Sequence, residues 1–566
     1  MEIHFLGAAN TVTGSQFLLT TERAKVLIDC GMFQGGPHEV VRNRVPLSYD
    51  PATLDAIVLT HAHLDHCGLI PHIVAEGFNG PIYATRGTIE LAALVLLDSG
   101  KLQEEYAKRH NHWAAKNPDK AASEERRDEA EIEAQEQLAE QQEGAPPVDA
   151  TTGAQVGLHV GDVTPDGRVI ASGVDELALR DEQGLGTRMG YPPYGQADHG
   201  PAMAGQPPRP TVIMETPVYD QAQATTALTH FKATDYEQTV DVAPGITATF
   251  HDAGHILGSS IVELHIAAQK DVPARTLVFS GDLGRVGAPI LRDPTIVSSA
   301  DYVFIESTYG GREHEPEEES LKALEQAVKD VEDESGVLLI PSFAIGRTQE
   351  VVWALNHLLD AGRIPKVNLF LDSPMASKAS TIYREHTDYY DADALALLSK
   401  GEGPIDFPDA KETVLALQSE AIEKARRPYI VVASNGMLTG GRVLNHLRNL
   451  IGDSKAMILF VGYQGEATLG ARLQAGVKTA RIDGMEFQVR CAIRSISGFS
   501  AHADQSGLLS WLGNFIAGRK AGDVGVPRRV FIVHGDPDAQ AALEPKIQAL
   551  GLPTMAPRWH QAVILD

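Results

Sequence analysis

Short apolar runs separated by turn residues fill the first hundred positions of the chain. Those at 2–6, 15–19 and 26–28 are brief or alternate between apolar and polar side chains, which predicts strands. Ala56–Leu59 is apolar throughout, as expected of a strand buried on both faces. The run Thr88–Leu97 then predicts a helix.

From about position 320, predicted helices alternate with apolar strands, which is typical of a parallel sheet flanked by helices. The predicted pairs are Leu321–Glu332 with Val337–Ile340, Arg347–Leu359 with Val367–Phe370, Ser419–Lys424 with Tyr429–Val432, and Gly441–Leu450 with Ala456–Phe460. Further strands are predicted at Ile246–Phe250, Ser260–Ile266, Thr276–Ser280, Tyr302–Ile305 and Val530–Val533, and a further helix at Ser506–Phe515.

Residues 107–213 differ in composition from the rest of the chain. Ala122–Gln142 is rich in Glu, Ala, Gln and Arg and predicts a solvated helix, whereas 151–210 is rich in Gly, Pro, Asp and Thr. Between 101 and 230 there are 22 acidic and 11 basic residues. We therefore expect 107–213 to be an acidic surface insertion, partly helical and partly loop.

The whole chain of 566 residues contains 48 Lys and Arg against 75 Asp and Glu, a formal net charge of −27. This balance excludes a protein that coats nucleic acid through a broad basic face, but it permits one groove that handles phosphate through metals and a few arginines. The three cysteines, Cys30, Cys67 and Cys491, indicate a reducing cytoplasm. We find no secretory signal and no apolar run of membrane-spanning length, so we expect no membrane association.

Candidate metal ligands are densest directly after the Ala56–Leu59 strand. His61, His63, Asp65 and His66 lie within six residues, and all four side chains can bind a divalent metal ion. A surface loop with four such residues by chance would be rare. The segment therefore predicts a metal site at the end of this strand.

Ligand-type side chains also follow three later strands. His255, Asp282 and His534 each lie near glycine just after an apolar run. Because open α/β sheets place their sites at the carboxyl ends of strands, these side chains can converge on one rim. His534 taken alone would be more typical of a packed histidine, but together the four strand ends predict a binuclear site.

The segment Thr-His-Ala-His-Leu-Asp-His resembles the signature of the metallo-β-lactamase superfamily. Asp29 matches the first motif of that superfamily, His255 the third and Asp282 the fourth. The resemblance implies an α/β fold: an αββα sandwich, built from 1–106, 214–310 and 487–566.

Later motifs resemble the β-CASP branch, the nucleic-acid-processing members of the superfamily. Glu306 resembles its motif A, His502 its motif B and His534 its motif C. In having a histidine at motif C, the chain resembles the RNA-processing members. The Phe-Ser-Ala-His form of its motif B resembles that of the cleavage-and-polyadenylation endonuclease. The resemblance implies an α/β β-CASP lobe, 311–486, inserted into the sandwich and capping its site.

The resemblance also implies two zinc ions per chain and a role for each matched residue. The implied ligands are His61, His63 and His255 for one ion, Asp65, His66 and His534 for the other, and Asp282 as a bridge. Two such metals can activate a hydroxide that attacks phosphorus, with Asp65 orienting it. Asp29 would fix the tautomer of a ligand histidine. Glu306 and His502 would form a pair that protonates the leaving oxygen.

Phosphate contacts are predicted at Arg347, Ser434 and Ser500, which lie at a helix start or in turns. To offset the acidity of the chain, we also expect Lys378, Arg442 and Arg494 to line the cleft.

We interpret the chain as a zinc-dependent endoribonuclease, with 5′-exoribonuclease activity left open. Two alternatives remain: a thioesterase-like small-molecule hydrolase of the same fold, and a metal-bearing but inactive RNA-binding protein. The first gives no role to Glu306 and His502, and the second predicts damaged ligand positions, of which the sequence shows none. The preferred RNA and the formation of a homodimer are also left open.

Overall fold

The computed structural model describes residues 1–156, 215–269, 273–462, 464–465 and 468–566. Its strands are β1 (Glu2–Phe5), β2 (Phe17–Thr20), β3 (Lys25–Ile28), β4 (Ala56–Val58), β5 (Ile82–Thr85), β6 (Val148–Asp149), β7 (Phe231–Thr234), β8 (Thr239–Ala243), β9 (Ile246–Asp252), β10 (Ser260–Ile266), β11 (Arg275–Phe279), β12 (Tyr302–Ile305), β13 (Val337–Pro341), β14 (Asn368–Asp372), β15 (Lys411–Glu412), β16 (Tyr429–Ala433), β17 (Ala456–Phe460), β18 (Thr479–Ile482), β19 (Met485–Gln488), β20 (Ala492–Ser495), β21 (Arg529–Ile532), β22 (Thr554–Met555) and β23 (Gln561–Ile564).

The α-helices, in chain order, are α1 (Pro37–Val40), α2 (Leu64–Cys67), α3 (Ile70–Ala75), α4 (Arg86–Lys116), α5 (Pro118–Glu143), α6 (Gln221–Ala227), α7 (Glu317–Asp333), α8 (Arg347–Asp360), α9 (Pro374–Glu385), α10 (Ala392–Ser399), α11 (Ala416–Ile422), α12 (Val443–Leu450), α13 (Leu469–Gln474), α14 (Gln505–Gly513) and α15 (Pro537–Ala549). No helix among these residues is both long and apolar enough to cross a membrane.

Two sheets packed face to face form the first lobe. Their strand orders are β6-β23-β1-β2-β3-β4-β5-β7 and β22-β21-β12-β11-β10-β9-β8. Side chains alternate along each strand, so on β2 Phe17 and Leu19 join the core between the sheets while Leu18 faces the outer helices. Between the sheets, the ring of Phe304 stacks on Phe279 at 4.1 Å and on Phe531 at 4.8 Å.

Helices cover the outer face of each sheet, which completes the predicted αββα sandwich. Helices α2, α3, α4 and α6 pack on the first sheet, and α14 and α15 pack on the second. Burial of one apolar face on the sheet is what stabilises these elements in water.

The second lobe is a parallel six-stranded sheet, ordered β15-β14-β16-β13-β17-β20, with helices on both faces. The chain leaves the sandwich after β12 and returns to it with α14, before β21 joins the second sheet beside β12. The lobe packs back on the sandwich, because Ile345, Ala379 and Tyr383 share the core cluster of α3 and α4. The inserted α/β lobe is thus confirmed.

The predicted boundary at 106/107 is wrong, because it falls inside the continuous helix α4. The following helix α5 is not freely solvated either: Ala121, Ala122, Ile132 and Ala139 are buried, and β6 adds a strand beside β23. Small alanines contribute little to an apolar pattern, so the buried face of α5 is hard to recognise in the sequence. The rest of the predicted insertion, 157–213, lies outside the described residues.

The predicted boundary at 486/487 also needs correction. Strand β20, at 492–495, pairs in parallel with β17 and therefore belongs to the sheet of the second lobe. A four-residue edge strand that is mostly exposed has no continuous apolar run to identify it.

Candidate metal centre and active site

The segment after β4 folds back on itself and brings its four candidate ligands to one place. His63 has an extended backbone and begins the single turn α2, which contains Asp65 and His66. His61 and His66 are buried, with ring centroids 4.0 Å apart. The strand-turn-helix arrangement places all four side chains at the carboxyl end of β4, as predicted.

A first ligand group consists of His61, His63, His255 and Asp282, whose donor atoms lie within 4.8 Å of one another. His63 Nδ1 lies 3.1 Å from His61 Nε2 and 3.3 Å from His255 Nε2. Asp282 Oδ2 lies 3.4 Å from His61 Nε2 and 3.5 Å from His255 Nε2. Three separate chain segments therefore direct their donor atoms to one point.

A second ligand group, formed by Asp65, His66 and His534, lies beside the first. His534 Nε2 is 3.1 Å from His66 Nε2 and 3.6 Å from Asp65 Oδ2. The other oxygen of Asp282, Oδ1, faces this group, at 3.4 Å from His66 Nε2 and 3.5 Å from His534 Nδ1. The two oxygens of one buried carboxylate thus face two different groups of histidines.

The chemistry of these donor atoms fits a pair of cations. Burial lowers the pKa of His63 to about 3 and also lowers the pKa values of His61 and His255, so these rings are neutral at physiological pH. Neutral imidazoles whose ring nitrogens lie 3.1–3.3 Å apart can each offer a lone pair to one shared metal ion. Imidazole nitrogen and carboxylate oxygen are the ligands that zinc prefers.

Asp29 lies behind the second group and orients one of its histidines. Its Oδ2 is 2.7 Å from His66 Nδ1 and accepts from the hydroxyls of Ser15 and Thr60, while its Oδ1 accepts from the backbone N–H of Thr60. A carboxylate at Nδ1 leaves Nε2 of His66 directed at Asp282 and His534. That Asp29 fixes the tautomer of a ligand histidine stays a prediction, for which this contact supplies the geometry.

Glu306 and His502 come together although they are 196 positions apart. Glu306, fully buried at the end of β12, places its two carboxylate oxygens 3.1 and 3.2 Å from His502 Nδ1. The backbone N–H groups of Leu283 and Thr308 donate to the same carboxylate. A carboxylate oxygen of Glu306 also lies within 4.8 Å of possible ligand atoms of Asp282 and His534. Both oxygens of Glu306 are already engaged, however, by the two backbone N–H groups and the His502 ring.

His502 lies at the edge of the metal-ligand groups. Its ring centroid is 4.5 Å from that of His255, and its Nδ1 is 4.0 Å from Asp282 Oδ2. Burial lowers the pKa of His502, but the carboxylates of Glu306 and Asp282 outweigh that effect and raise it overall. Near neutral pH, His502 can therefore hold a proton next to the ligands.

Two of the predicted phosphate contacts, Arg347 and Ser500, lie at the junction of the two lobes. Arg347 begins α8 and is buried, with Nη1 3.4 Å from Glu350 and a buried Nε that has no hydrogen-bond partner among the described residues. Ser434 follows β16, and its buried hydroxyl likewise has no such partner there. Ser500 accepts at its hydroxyl from the N–H of His502, at 3.4 Å.

Two residues that the sequence did not single out connect this junction. Arg285 Nε donates to the carbonyl of Ser500 at 3.1 Å, and its guanidinium also pairs with Glu350 of α8. A lone arginine in a glycine-rich turn and a glutamate inside a helix give no sequence signal.

The expectation that Arg442 and Arg494 line the cleft is not met. Arg442 donates to Asp372 at 2.8 Å and to the carbonyls of Thr413 and Val414, all within the second lobe. Arg494 pairs with Asp330 of α7 on the surface. Both guanidinium groups are held by carboxylates that the linear sequence does not place beside them. The other expected cation, Lys378, lies on α9. Burial raises the pKa of Asp98 on α4, and the charge of Lys378 partly offsets that rise.

Comparison with known proteins agrees with this geometry. Residues 9–186 match the metallo-beta-lactamase superfamily, 348–473 the Beta-Casp domain, and 486–557 the Zn-dependent metallo-hydrolase RNA specificity domain. "Ribonuclease TTHA0252" of Thermus thermophilus is 30% identical over 565 residues, which is all of both chains. The chain belongs to the β-CASP branch of the metallo-β-lactamase superfamily.

This β-CASP protein also resembles archaeal relatives. "Transcription termination factor FttA" of Methanosarcina mazei is 26% identical over 549 residues, 94% of this chain and 67% of the relative. The protein of the same name from Methanocaldococcus jannaschii is 26% identical over 546 residues, 95% of this chain and 67% of the relative. The family assignment confirms the resemblance that the motifs suggested.

Proposed function

We propose that this β-CASP protein is a zinc-dependent RNA hydrolase that cleaves phosphodiester bonds, acting as an endoribonuclease. The observation that carries the proposal is the position of the Asp282 carboxylate between the two ligand groups. Its Oδ2 faces His61 and His255, while its Oδ1 faces His66 and His534. A carboxylate placed in this way suits a bridge between two cations. The ribonuclease relative of equal length supports RNA as the substrate.

Two zinc ions per chain would be held by the two ligand groups, with Asp282 shared between them. When bound, such a pair supplies a nucleophile derived from water near neutral pH and offsets negative charge on the phosphate. Asp65 faces His534 from the rim of the second group and is partly exposed. Its carboxylate can therefore orient the attacking water from the solvent side.

His502 acts as the general acid in this proposal. Glu306 contacts Nδ1, so the proton on the opposite ring nitrogen, Nε2, is available to the leaving 3′-oxygen. Glu306 keeps the ring protonated and fixes its orientation, because its carboxylate is itself held by the N–H of Leu283 at 2.8 Å. Arg285 holds the adjoining loop through the Ser500 carbonyl.

Arg347 and Ser434 are proposed to hold the RNA backbone at the junction of the lobes. Each presents a buried polar atom that has no hydrogen-bond partner among the described residues, and a phosphate oxygen can pair with either atom. Ser500 would contribute from the opposite side of the junction.

All three free cysteines are buried thiols, which supports a cytoplasmic enzyme.

The test is incubation of the protein with a long RNA blocked at its 5′ end, a DNA of the same sequence and a generic thioester, with and without chelator. We expect internal cuts in the RNA that stop when metal is removed. Hydrolysis of the thioester with intact RNA would instead favour the small-molecule hydrolase, and RNA binding without any product would favour the inactive binder. Analysis of the product ends measures endonuclease against 5′-exonuclease action, and light scattering distinguishes a monomer from a homodimer.

A further inference from the structure

The loop that carries His255, residues 253–259, is held on one side by the sandwich itself. The backbone N–H groups of His255 and Ile256 donate to the hydroxyl of Ser259, at 3.0 and 3.2 Å. The carbonyl of Gly258 accepts from the hydroxyls of Thr85 and Thr88, at 2.6 and 2.8 Å. The first pair of bonds closes the turn on itself, and the second pair fixes its end to strand β5 and helix α4.

The middle of the same loop is held by the second lobe. The hydroxyl of Tyr383, on α9, accepts from the backbone N–H of Leu257 at 3.1 Å, two residues after His255. Tyr383 is 1% exposed, so water cannot replace this hydroxyl without a change in packing. One side chain of the inserted lobe therefore bonds the backbone next to a proposed metal ligand.

Close packing at the same point restricts the loop further. A Cβ on Gly346 would lie 2.8 Å from Ile256 Cγ2 and 3.9 Å from the Tyr383 hydroxyl, and Gly346 has a φ of +75°. Gly346 directly precedes Arg347, the proposed phosphate contact. Ile256, which follows His255, therefore packs against Gly346, which precedes Arg347, and Tyr383 lies beside both.

We propose that Tyr383 is a positioning residue through which the second lobe sets the place of His255, and so the affinity of the first ligand group for its metal ion. The inference rests on the proposed function, since it takes His255 as a ligand. A shift of the lobe moves Tyr383 and Gly346 together, and the Leu257 hydrogen bond transmits that shift to the His255 loop. Binding of RNA between the lobes would in this way be coupled to metal retention.

The test compares Tyr383→Phe with Tyr390→Phe in the full-length, zinc-loaded protein. Both tyrosines are nearly fully buried, but the hydroxyl of Tyr390 has no hydrogen-bond partner among the described residues. Each variant removes one buried oxygen, so Tyr390→Phe is the matched control. Zinc release to a fluorescent chelator gives the affinity, and the absorption spectrum of the cobalt-substituted protein reports the geometry at the ligands.

We expect Tyr383→Phe to weaken the binding of one zinc by about 10-fold or more, the usual range for groups that orient a ligand. Its cobalt spectrum should shift and excess zinc should restore activity, whereas Tyr390→Phe should stay within about twofold of wild type. Gly346→Ala, which forces Ile256 to move, should also weaken the binding of one zinc. If Tyr383→Phe does not fold, the zinc affinity of Gly346→Ala becomes the test of whether the second lobe positions His255.

His255→Ala separates the failure of this inference from the failure of the proposed site. If His255→Ala keeps its full zinc content, the ligand assignment itself is wrong. If His255→Ala loses zinc while Tyr383→Phe and Gly346→Ala both bind zinc as wild type does, only the role of Tyr383 is overturned.

Discussion

Replacing Glu306 by Gln tests whether His502 is the proton donor. The carboxylate of Glu306 contacts His502 Nδ1 at 3.1 and 3.2 Å and accepts from the N–H groups of Leu283 and Thr308. Gln keeps the shape but provides only one oxygen, so one of these donors then faces an amide NH2. The substitution removes the negative charge that keeps the ring protonated while leaving His502 and the metal ligands in place.

The expected loss follows from that contact. A hydrogen bond to a charged group stabilises by about 1.5–3 kcal/mol, and about 1.4 kcal/mol corresponds to a factor of ten. Loss of the carboxylate should therefore lower RNA cleavage about 10- to 100-fold above neutral pH. Because Glu306 raises the pKa of His502, its removal lowers that pKa, and the alkaline limb of the pH–rate profile should move to lower pH. His502→Ala should cost about 10²–10⁴-fold, the range for a positioned general acid.

The assay is single-turnover cleavage of labelled RNA across a pH series, with zinc content and RNA binding measured on the same samples. Glu313→Gln is the matched control, because Glu313 is exposed and its carboxylate accepts hydrogen bonds from Ser506, at the start of α14. The double variant of Glu306 and His502 should be little worse than His502→Ala, since residues that act as one unit are not additive. A 3′-thiolate leaving group should partly rescue His502→Ala. Loss of zinc from His502→Ala, or multiplicative losses in the double variant, would refute the assignment.

Three further predictions follow from the same structure. Elemental analysis should find about two zinc ions per chain, and His63→Ala should lose both zinc and activity; full activity of that variant would disprove the site. Ile132→Ala in α5 should lower the free energy of unfolding by about 2–4 kcal/mol in a denaturant titration, because Ile132 is 4% exposed, whereas a freely solvated helix would show almost no change. Asp372→Ala should destabilise the second lobe by about 3–5 kcal/mol, since it leaves Arg442 and His446 without their buried carboxylate. Burial would raise the pKa of Asp372, but it is depressed overall by hydrogen bonds from His446, Ser419, Thr413 and Arg442. The contribution of Asp372 to the free energy of unfolding is therefore present above the ordinary carboxyl pKa and is lost as the pH falls below it. A pH-independent difference in stability between wild type and variant would contradict this.

The candidate metal centre could be predicted from the sequence because its signals are local. His61, His63, Asp65 and His66 lie within six residues, and the other candidate ligands each follow an apolar strand. A buried strand has a distinctive apolar pattern, and its carboxyl end is where a parallel arrangement collects side chains. The helix–strand alternation after position 320 indicated the second lobe for the same reason.

Elements with weak local signals were missed or misplaced. Helix α5 buries mainly alanines, and β6 and β20 have two and four residues. Their position depends on a neighbour that is already folded, β23 in one case and β17 in the other. Apolar periodicity cannot reveal an element whose stability comes mostly from the sheet edge it joins.

The residue pattern and the family motifs were enough to predict the fold class, a set of candidate metal ligands and the pairing of an acid with a histidine. Which arginine side chains already have a carboxylate partner, and which side chains connect the lobes, depends on how the chain packs. Arg442 is held by a buried aspartate 70 positions away, and Tyr383 reaches Leu257 across 126 positions. A single side chain that acts through one hydrogen bond has no pattern along the chain, because its partner is set by the packing of the two lobes.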